Sequence, residues 1–260
     1  MCLVTLQDRI YLAPITDPKH ILDVGKHKRA LIPEAEPLSL QCRRHWNGNM
    51  GNVNNPVSPH CCYLTFCRDM SDKFPDAEVI GTDLSPISPA MLPGNFRFEI
   101  DDATSPWIYP EDHFDFIHIR GLLGAVGDWP YLYKQAFTHL APGGYIEHVE
   151  YSCHVRSAED NLSSDSPWVK WGHNAVRSGE LHGKTLEVAE NMASWIREAG
   201  FVDVVERRFK WPIGPWSSDP RHKDIGRWNL LNWEEGSRCH AHFDPDRPSV
   251  ADSVQWRAGR

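Results

Sequence analysis

The sequence has no apolar run close to the roughly 18 residues that a membrane-spanning helix needs. Its first residues also lack the charged and then apolar order of a signal peptide. Both absences favour a soluble intracellular protein, in the cytosol or the nucleus.

A basic excess is missing too, since 27 lysines and arginines stand against 35 aspartates and glutamates. Direct nucleic-acid binding is not expected, because a polyanion binder needs a positive surface. The seven cysteines are odd in number and unevenly spaced, which argues against a secreted disulfide framework and favours free thiols.

Glycine is scarce at a place where the first strand leads one to expect it. Residues 20–24 predict a short apolar strand, and Asp23-Val24-Gly25 is how a strand that feeds a glycine-rich cofactor turn usually ends. The next residues, KHKRALIPEAE, contain no glycine. Residues 26–68 show neither helical nor strand periodicity, and we predict poor order there.

From residue 69 onward the sequence alternates regularly between apolar runs, which predict strands, and apolar residues at helical spacing, which predict helices. This order predicts an α/β domain with a mainly parallel, doubly wound sheet that binds its ligand at the carboxyl ends of the strands. We place the domain at 1–236 and an irregular tail at 237–260. The predicted strands lie within 77–85, 96–104, 114–124, 143–151 and 201–211, and the predicted helices at 129–140 and 185–199.

Acidic residues follow two of the predicted strands. Asp83 can accept hydrogen bonds from both hydroxyls of a ribose, or it can cap the Ser-Pro turn that follows it. Asp101 and Asp102 with Ala103 can hydrogen-bond an adenine ring, or they can form a solvated acidic loop. Both sets are compatible with the nucleoside part of a cofactor.

Two further residues belong to the same predicted crevice. Asp23 can anchor a glycine loop or approach the amino-acid part of a cofactor, and Arg120 can face the crevice or form a surface salt bridge. Asp23 and Asp83 are 60 residues apart, whereas one strand–turn–helix step between the glycine turn and the ribose-binding acid takes about 20. The surplus falls on residues 26–68.

The surplus segment also contains potential metal ligands. Their spacing fits no familiar zinc arrangement, so we assign no metal site to them. The residues concerned are Cys42, His45, His60, Cys61, Cys62 and Cys67.

Six stretches then occur in a familiar order: RIYLAPITDPKHILDVG, DMSDKFPDAEVIGTDLSPISP, NFRFEIDDATSPW, FDFIHIRGLLGAVGDWP, HLAPGGYIEHVEY and GPWSSDPRHKDIGRWNLLNWEEG. With them the chain resembles fungal class I S-adenosylmethionine-dependent methyltransferases of the LaeA-like kind. The resemblance covers most of residues 9–236 without 26–68, and it implies a Rossmann-like sheet, which we expect to be incomplete at its C-terminal strands. It implies S-adenosylmethionine as cofactor, with Asp83 on the ribose and Asp102 with Ala103 at the adenine. Together with the residues considered above, the candidate cofactor-binding residues are Asp23, Gly25, Asp83, Leu84, Asp101, Asp102, Ala103 and Arg120.

The resemblance also suggests what interrupts the glycine turn. A family member would read DVGTGTGIWAIDM where this chain has Asp23-Val24-Gly25, then residues 26–68, then Asp69-Met70. Codons for Gly25-Lys26 and Arg44 can form one intron boundary pair, and codons for Asn52-Val53 and Arg68 can form a second. Removal of both introns allows the remaining codons to spell TGTGIWAI. Residues 26–68 are therefore either translated intron or a real insertion.

The function implied is methyl transfer to an acceptor that the sequence does not identify, whether small molecule or protein. We assign no catalytic residue, because His118, Glu147 and His148 near strand ends are more often structural or solvated than general bases. One alternative is a catalytically inactive methyltransferase-like protein, either mis-spliced or partner-binding. A nicotinamide-dependent oxidoreductase shares the ribose-binding acid but little else.

Overall fold

A five-stranded parallel sheet in the order β3-β2-β1-β4-β5 organises the protein. The computed structural model describes residues 10–25, 61–84, 92–157, 159 and 161–241. The strands are β1 (His20–Gly25), β2 (Glu78–Asp83), β3 (Phe96–Ile100), β4 (Phe114–Arg120) and β5 (Leu140–Val149). The helices are α1 (Cys61–Lys73), α2 (Trp129–His139), α3 (Pro167–Leu181), α4 (Val188–Glu198) and α5 (Pro220–Ala241).

The two faces of the sheet carry two separate parts of the core. Leu22 and Val24 of β1 pack in a cluster with residues of α2 and α4, whereas Ile21 packs with Phe66 and Met70 of α1 on the other face. Strands covered on both faces have nearly continuous apolar runs, which is why β1, β2 and β4 were readable in the sequence. The predicted α/β, doubly wound, Rossmann-like fold is confirmed.

Helix α2 shows how local sequence sets an element boundary. The Asp128 side chain accepts a hydrogen bond from the amide of Tyr131, and Pro130 lies in the first turn, where its missing N–H costs nothing. Leu132 and Ala136 then bury one stripe of the helix against the sheet. The helices predicted at 129–140 and 185–199 are confirmed as α2 and α4.

Three expectations require correction. The last eight residues of the segment 26–68 are helical, because Phe66 and Cys67 supply the buried positions on which α1 packs. Residues 201–211 form no strand, and Val202 and Val205 remain 82% and 75% exposed, since no strand in the described residues pairs with them. Helix α5 continues to Ala241 and so enters the predicted irregular tail.

The remaining parts of these expectations concern residues 26–60 and 242–260, which lie outside the described residues. Among the described residues, no helix is both long and apolar enough to cross a membrane.

The order of the strands fixes where a ligand would bind. Strand order reverses between β1 and β4, which lie side by side with Gly25 opposite Arg120. In open sheets of this kind, the crevice outside the carboxyl ends of the strands at such a reversal is the usual ligand site. We call this side of the sheet the carboxyl edge, and the side where the strands begin the amino edge.

Candidate functional site

Asp23 lies at the centre of the carboxyl edge and is fully buried. Its Oδ1 lies 2.7 Å from Nδ1 of His118 on the neighbouring strand β4, and its Oδ2 accepts a hydrogen bond of 3.1 Å from the thiol of Cys67 on α1. Burial, and then the nearby Asp23 carboxylate, raise the pKa of the Cys67 thiol well above its ordinary value. The thiol therefore stays protonated and can remain a donor to Asp23.

His118 extends this contact to the beginning of the chain. Its ring stacks on Phe66 with centroids 3.9 Å apart, and its Nε2 lies 4.0 Å from Oε1 of Glu147 on β5. The other carboxylate oxygen of Glu147 accepts hydrogen bonds of 2.7 Å from the amides of Leu12 and Ala13. A network of polar contacts thus connects α1, three strands and the segment before β1. Both His118 and Glu147 have structural contacts within this network.

Asp83 ends β2, and only 2% of its surface is exposed. Its carbonyl oxygen accepts a hydrogen bond of 3.1 Å from the amide of Asp101, which brings the turn after β3 next to the end of β2. Leu84, the next residue, is 57% exposed. The structure thus places the proposed ribose acid and the proposed adenine loop side by side at one edge.

The loop after β3 is ordered by its own polar groups. Oδ1 of Asp101 accepts from the amide of Asp102, and Oδ1 of Asp102 accepts from both the amide and the hydroxyl of Thr104. The carbonyl of Ala103 accepts a hydrogen bond of 3.0 Å from the indole N–H of Trp107. These contacts order the loop, and its half-exposed acidic side chains fit both the adenine site and the solvated acidic loop considered from the sequence.

Arg120 ends β4, and its guanidinium lies 5.8 Å from the ring centroid of Phe66, within the range of a cation–π contact. Gly121 follows with a φ of 66°, a conformation that L residues with side chains rarely adopt. The chain therefore turns sharply at this point, and Arg120 remains at the carboxyl edge with Gly25 opposite it.

A second buried polar group at this edge is not apparent from the sequence. Nδ1 of His148 lies 2.7 Å from the hydroxyl of Tyr133, its ring stacks on Trp129, and its Nε2 lies 3.8 Å from Oε2 of Glu150. Glu150 accepts a hydrogen bond of 3.0 Å from the amide of Leu123. The alternation of acid and histidine in EHVE, at residues 147–150, is the only signal of this cluster in the sequence.

Most of the potential metal ligands of the segment 26–68, to which we assigned no metal site, have side chains outside the described part of the structure. Cys42, His45 and His60 lie outside the described residues, and the backbones of Cys61 and Cys62 belong to α1. Cys67 points into the core.

A sequence profile of the family described as "Methyltransferase domain" matches residues 7–206. The methyltransferase pytC of Aspergillus terreus is 40% identical over 235 residues, which are 89% of this chain and 61% of that protein. The secondary metabolism regulator LAE1 of Cochliobolus heterostrophus is 39% identical over 200 residues, which are 73% of this chain and 65% of that protein. The chain thus spans less than two thirds of the length of these curated relatives.

Among solved structures, phosphoethanolamine N-methyltransferase 2 of Haemonchus contortus, in complex with S-adenosyl-L-methionine, is similar at a TM-score of 0.49 and 15% identity. The similarity covers 96% of this chain and 45% of that one. On the family match and the order of its motifs, the chain belongs to the fungal LaeA-like family of class I S-adenosylmethionine-dependent methyltransferases.

Proposed function

We propose that the carboxyl edge of this chain binds S-adenosylmethionine, and that the protein transfers its methyl group to an acceptor that is a small molecule or a protein. The observation that carries the proposal is the placement of Asp23, Asp83 and the 101–103 turn on three successive neighbours of the sheet, β1, β2 and β3. Their side of the sheet is where such folds bind nucleotides.

Each residue has a role in this proposal. Asp83 accepts hydrogen bonds from the two ribose hydroxyls, and Leu84 covers the sugar with its exposed side chain. The turn of Asp101, Asp102 and Ala103 holds the adenine. Asp23, Gly25 and Arg120 are proposed for the amino-acid part of the cofactor, because they lie on β1 and β4, where the strand order reverses.

The chemistry needs little acid–base help from the protein. When bound, S-adenosylmethionine supplies a methyl group already activated by a sulfonium. The contribution of the chain is to bind and to align the acceptor in line with the bond that breaks, which supplies much of the rate enhancement in such reactions. His118, Glu147 and His148 have buried structural contacts, and we assign a proton transfer to none of them.

The affinity of this site depends on the connection between β1 and α1. Gly25 ends the strand and Cys61 begins the helix, whereas the family pattern has a short turn, TGTGIWAI, whose glycines let the backbone approach the cofactor closely. In that pattern a tryptophan replaces Phe66 and an alanine replaces Cys67, so an aromatic and a small residue occupy the same two core positions. We therefore expect the chain as it stands to bind the cofactor weakly, through the proposed ribose and adenine side of the site.

The experiment is a calorimetric titration of the full chain with S-adenosylmethionine, repeated on a variant in which TGTGIWAI replaces residues 26–68. We expect the replaced chain to bind at least about tenfold more tightly. Asp83→Asn should lower the affinity of either chain by about tenfold or more, because the loss of charge weakens two hydrogen bonds to the ribose. Circular dichroism checks that the variants are folded.

Asp17→Asn is the matched control, because Asp17 lies before β1 and its side chain is 76% exposed. The proposal is wrong if neither chain binds, or if Asp83→Asn binds as tightly as the unsubstituted chain. If the unsubstituted chain and the TGTGIWAI variant bind S-adenosylmethionine with equal affinity, and Asp83→Asn lowers that affinity, the proposed site is supported but the glycine turn has no role in binding.

A further inference from the structure

The amino edge of the sheet carries a cluster of two histidines and one glutamate. His20 begins β1, Glu78 begins β2, and His113 immediately precedes β4. One side-chain atom from each, a ring nitrogen or a carboxylate oxygen, lies within 4.8 Å of the other two. All three are groups that bind divalent metal ions, and none of them belongs to the carboxyl edge.

The parallel register brings these residues together. His20 and Glu78 are direct partners in the pairing of β1 with β2, so their side chains lie on the same face of the sheet. His113 is the residue just before β4, the strand on the other side of β1, and its ring centroid is 4.2 Å from that of His20. Backbone pairing therefore fixes His20 beside Glu78, and the contact between the two rings brings His113 next to them.

The cluster is open to solvent and is flanked by charges of both signs. The side chains of His20 and Glu78 are 40% and 43% exposed. Asp115 adds a negative charge 3.9 Å from Nδ1 of His20, and its Oδ2 accepts hydrogen bonds from the amides of Lys19 and His20. An ion from solution can thus reach the cluster, and Asp115 adds electrostatic attraction.

Arg97 is the positive charge that faces the cluster. Its guanidinium lies 3.5 Å from Glu78, and also 2.9 Å from Glu99. Because Glu99 remains as a partner, Glu78 can turn to a metal ion without leaving Arg97 uncompensated.

We propose that His20, Glu78 and His113 form a binding site for a divalent transition metal of the zinc class. Two imidazoles and one carboxylate are a common three-residue ligand set for zinc, with water as the fourth ligand. Ligand atoms of a tetrahedral zinc site lie about 3.4 Å apart, given metal–ligand bonds of about 2.0–2.1 Å. Small rotations of these half-exposed side chains are enough to close the cluster around an ion.

The bound metal would join β1, β2 and the start of β4 at the edge opposite the cofactor. Strand β1 is six residues long, which places the cluster about 16–20 Å from the carboxyl edge at roughly 3.3 Å per residue. The metal therefore stabilises the sheet and takes no part in methyl transfer. This site does not rest on the proposed function.

The test is a calorimetric titration of the full, metal-free chain with zinc chloride. The wild-type chain should bind one equivalent that is weakened at least about tenfold in His20→Ala, in His113→Ala and in Glu78→Gln. Glu78→Gln retains the size of the side chain and removes only its charge, so it tests the ligand set without risk to the fold. The same equivalent of zinc should raise the melting temperature of the wild-type chain.

His182→Ala is the matched control, because His182 is an exposed histidine at the end of α3. Zinc that cysteines elsewhere hold would remain bound in all the variants. The proposed site therefore corresponds to the one equivalent of zinc whose binding is weakened in the three variants and unchanged in His182→Ala. Unchanged binding in the three variants, or no zinc bound by the wild-type chain, would overturn the proposal.

Discussion

The two edges of the same sheet carry similar residues in opposite surroundings. At the carboxyl edge, Asp23 and His118 are 0% and 1% exposed and have each other as partners. At the amino edge, the side chains of His20 and Asp115 are both 40% exposed and 3.9 Å apart. Both edges pair a histidine with an aspartate on the strands β1 and β4.

The difference shows that burial, more than residue type, decides what such a pair does. A buried donor or acceptor that loses its partner costs far more than one that water can reach. The carboxyl-edge pair is therefore part of the stability of the fold, whereas the amino-edge residues can exchange their present partners for an ion.

The first prediction compares an aspartate-to-alanine substitution at each edge of the sheet by its effect on the free energy of unfolding. Asp23→Ala removes the acceptor of His118 and of Cys67 inside the core, and we expect the free energy of unfolding to fall by about 3 kcal/mol or more. Asp115→Ala also removes an acceptor of two hydrogen bonds, but water can replace it, and we expect a loss of about 1 kcal/mol. Urea unfolding measures both, and equal losses would contradict the comparison.

The second prediction concerns the tight packing beneath Asp23. A Cβ on Gly81 would lie 2.9 Å from the sulfur of Cys67 and 3.1 Å from the ring of Phe96. We expect Gly81→Ala to destabilise the protein by about 1–3 kcal/mol through overpacking. The double variant with Cys67→Ala should lose less than the sum of the two single variants, because the sulfur is gone. Additive losses in urea unfolding would contradict this contact.

The third prediction is a pH dependence at the carboxyl edge. The pKa of the Cys67 thiol is raised by burial and by Asp23, so the folded state retains this proton to higher pH than the unfolded chain does. The stability it contributes is complete below the ordinary thiol pKa of about 8.5 and is lost as the pH rises above that value. Between pH 8.5 and 10 the wild-type chain should therefore lose stability faster than Cys67→Ala, by up to about 1.4 kcal/mol per pH unit. If the free energies of unfolding of the two proteins, measured in urea, change with pH in the same way, the raised pKa of the Cys67 thiol is contradicted.

The last prediction, with the smallest effect, tests whether residues 201–211, which the sequence predicted as a strand, are irregular. Val202 is 82% exposed in the irregular segment after α4, so Val202→Thr should change the free energy of unfolding by less than about 0.5 kcal/mol. Val79→Thr, at a fully buried position of β2, is the matched comparison and should cost more than about 1 kcal/mol, because it buries a hydroxyl. A large loss in Val202→Thr would show that residues 201–211 pack as a strand after all.

The sequence predicted the fold where both faces of a strand are buried. HILDVG, EVIGTD and FDFIHIR read as strands because nearly all of their residues lie in the core. The segment 201–211 has similar β-forming residues but no strand beside it in the described part of the chain, and the sequence does not reveal that absence. Helix α1 was missed over 61–68, where Phe66 and Cys67 are the buried residues among the side chains that the structure describes.

The candidate site was predictable in position but not in its contacts. Asp83 and the 101–103 turn were predicted because Asp83 ends one strand and the turn follows the next, and the sheet brings the two together. The contact of Asp23 with His118 and Cys67 joins residues that are distant in the sequence. Such contacts depend on tertiary packing, which no local pattern encodes, and the same holds for the cluster at the amino edge.

Hydrogen exchange of the full chain, measured by mass spectrometry with and without saturating S-adenosylmethionine, tests the central claim most directly. We expect slower exchange in the segments that follow the strands, at 101–106 and 121–126, and unchanged exchange in the segments that precede them, at 74–77 and 110–113. Protection of the amino-edge segments, or no protection at either edge, would contradict the assignment of the carboxyl edge as the cofactor site.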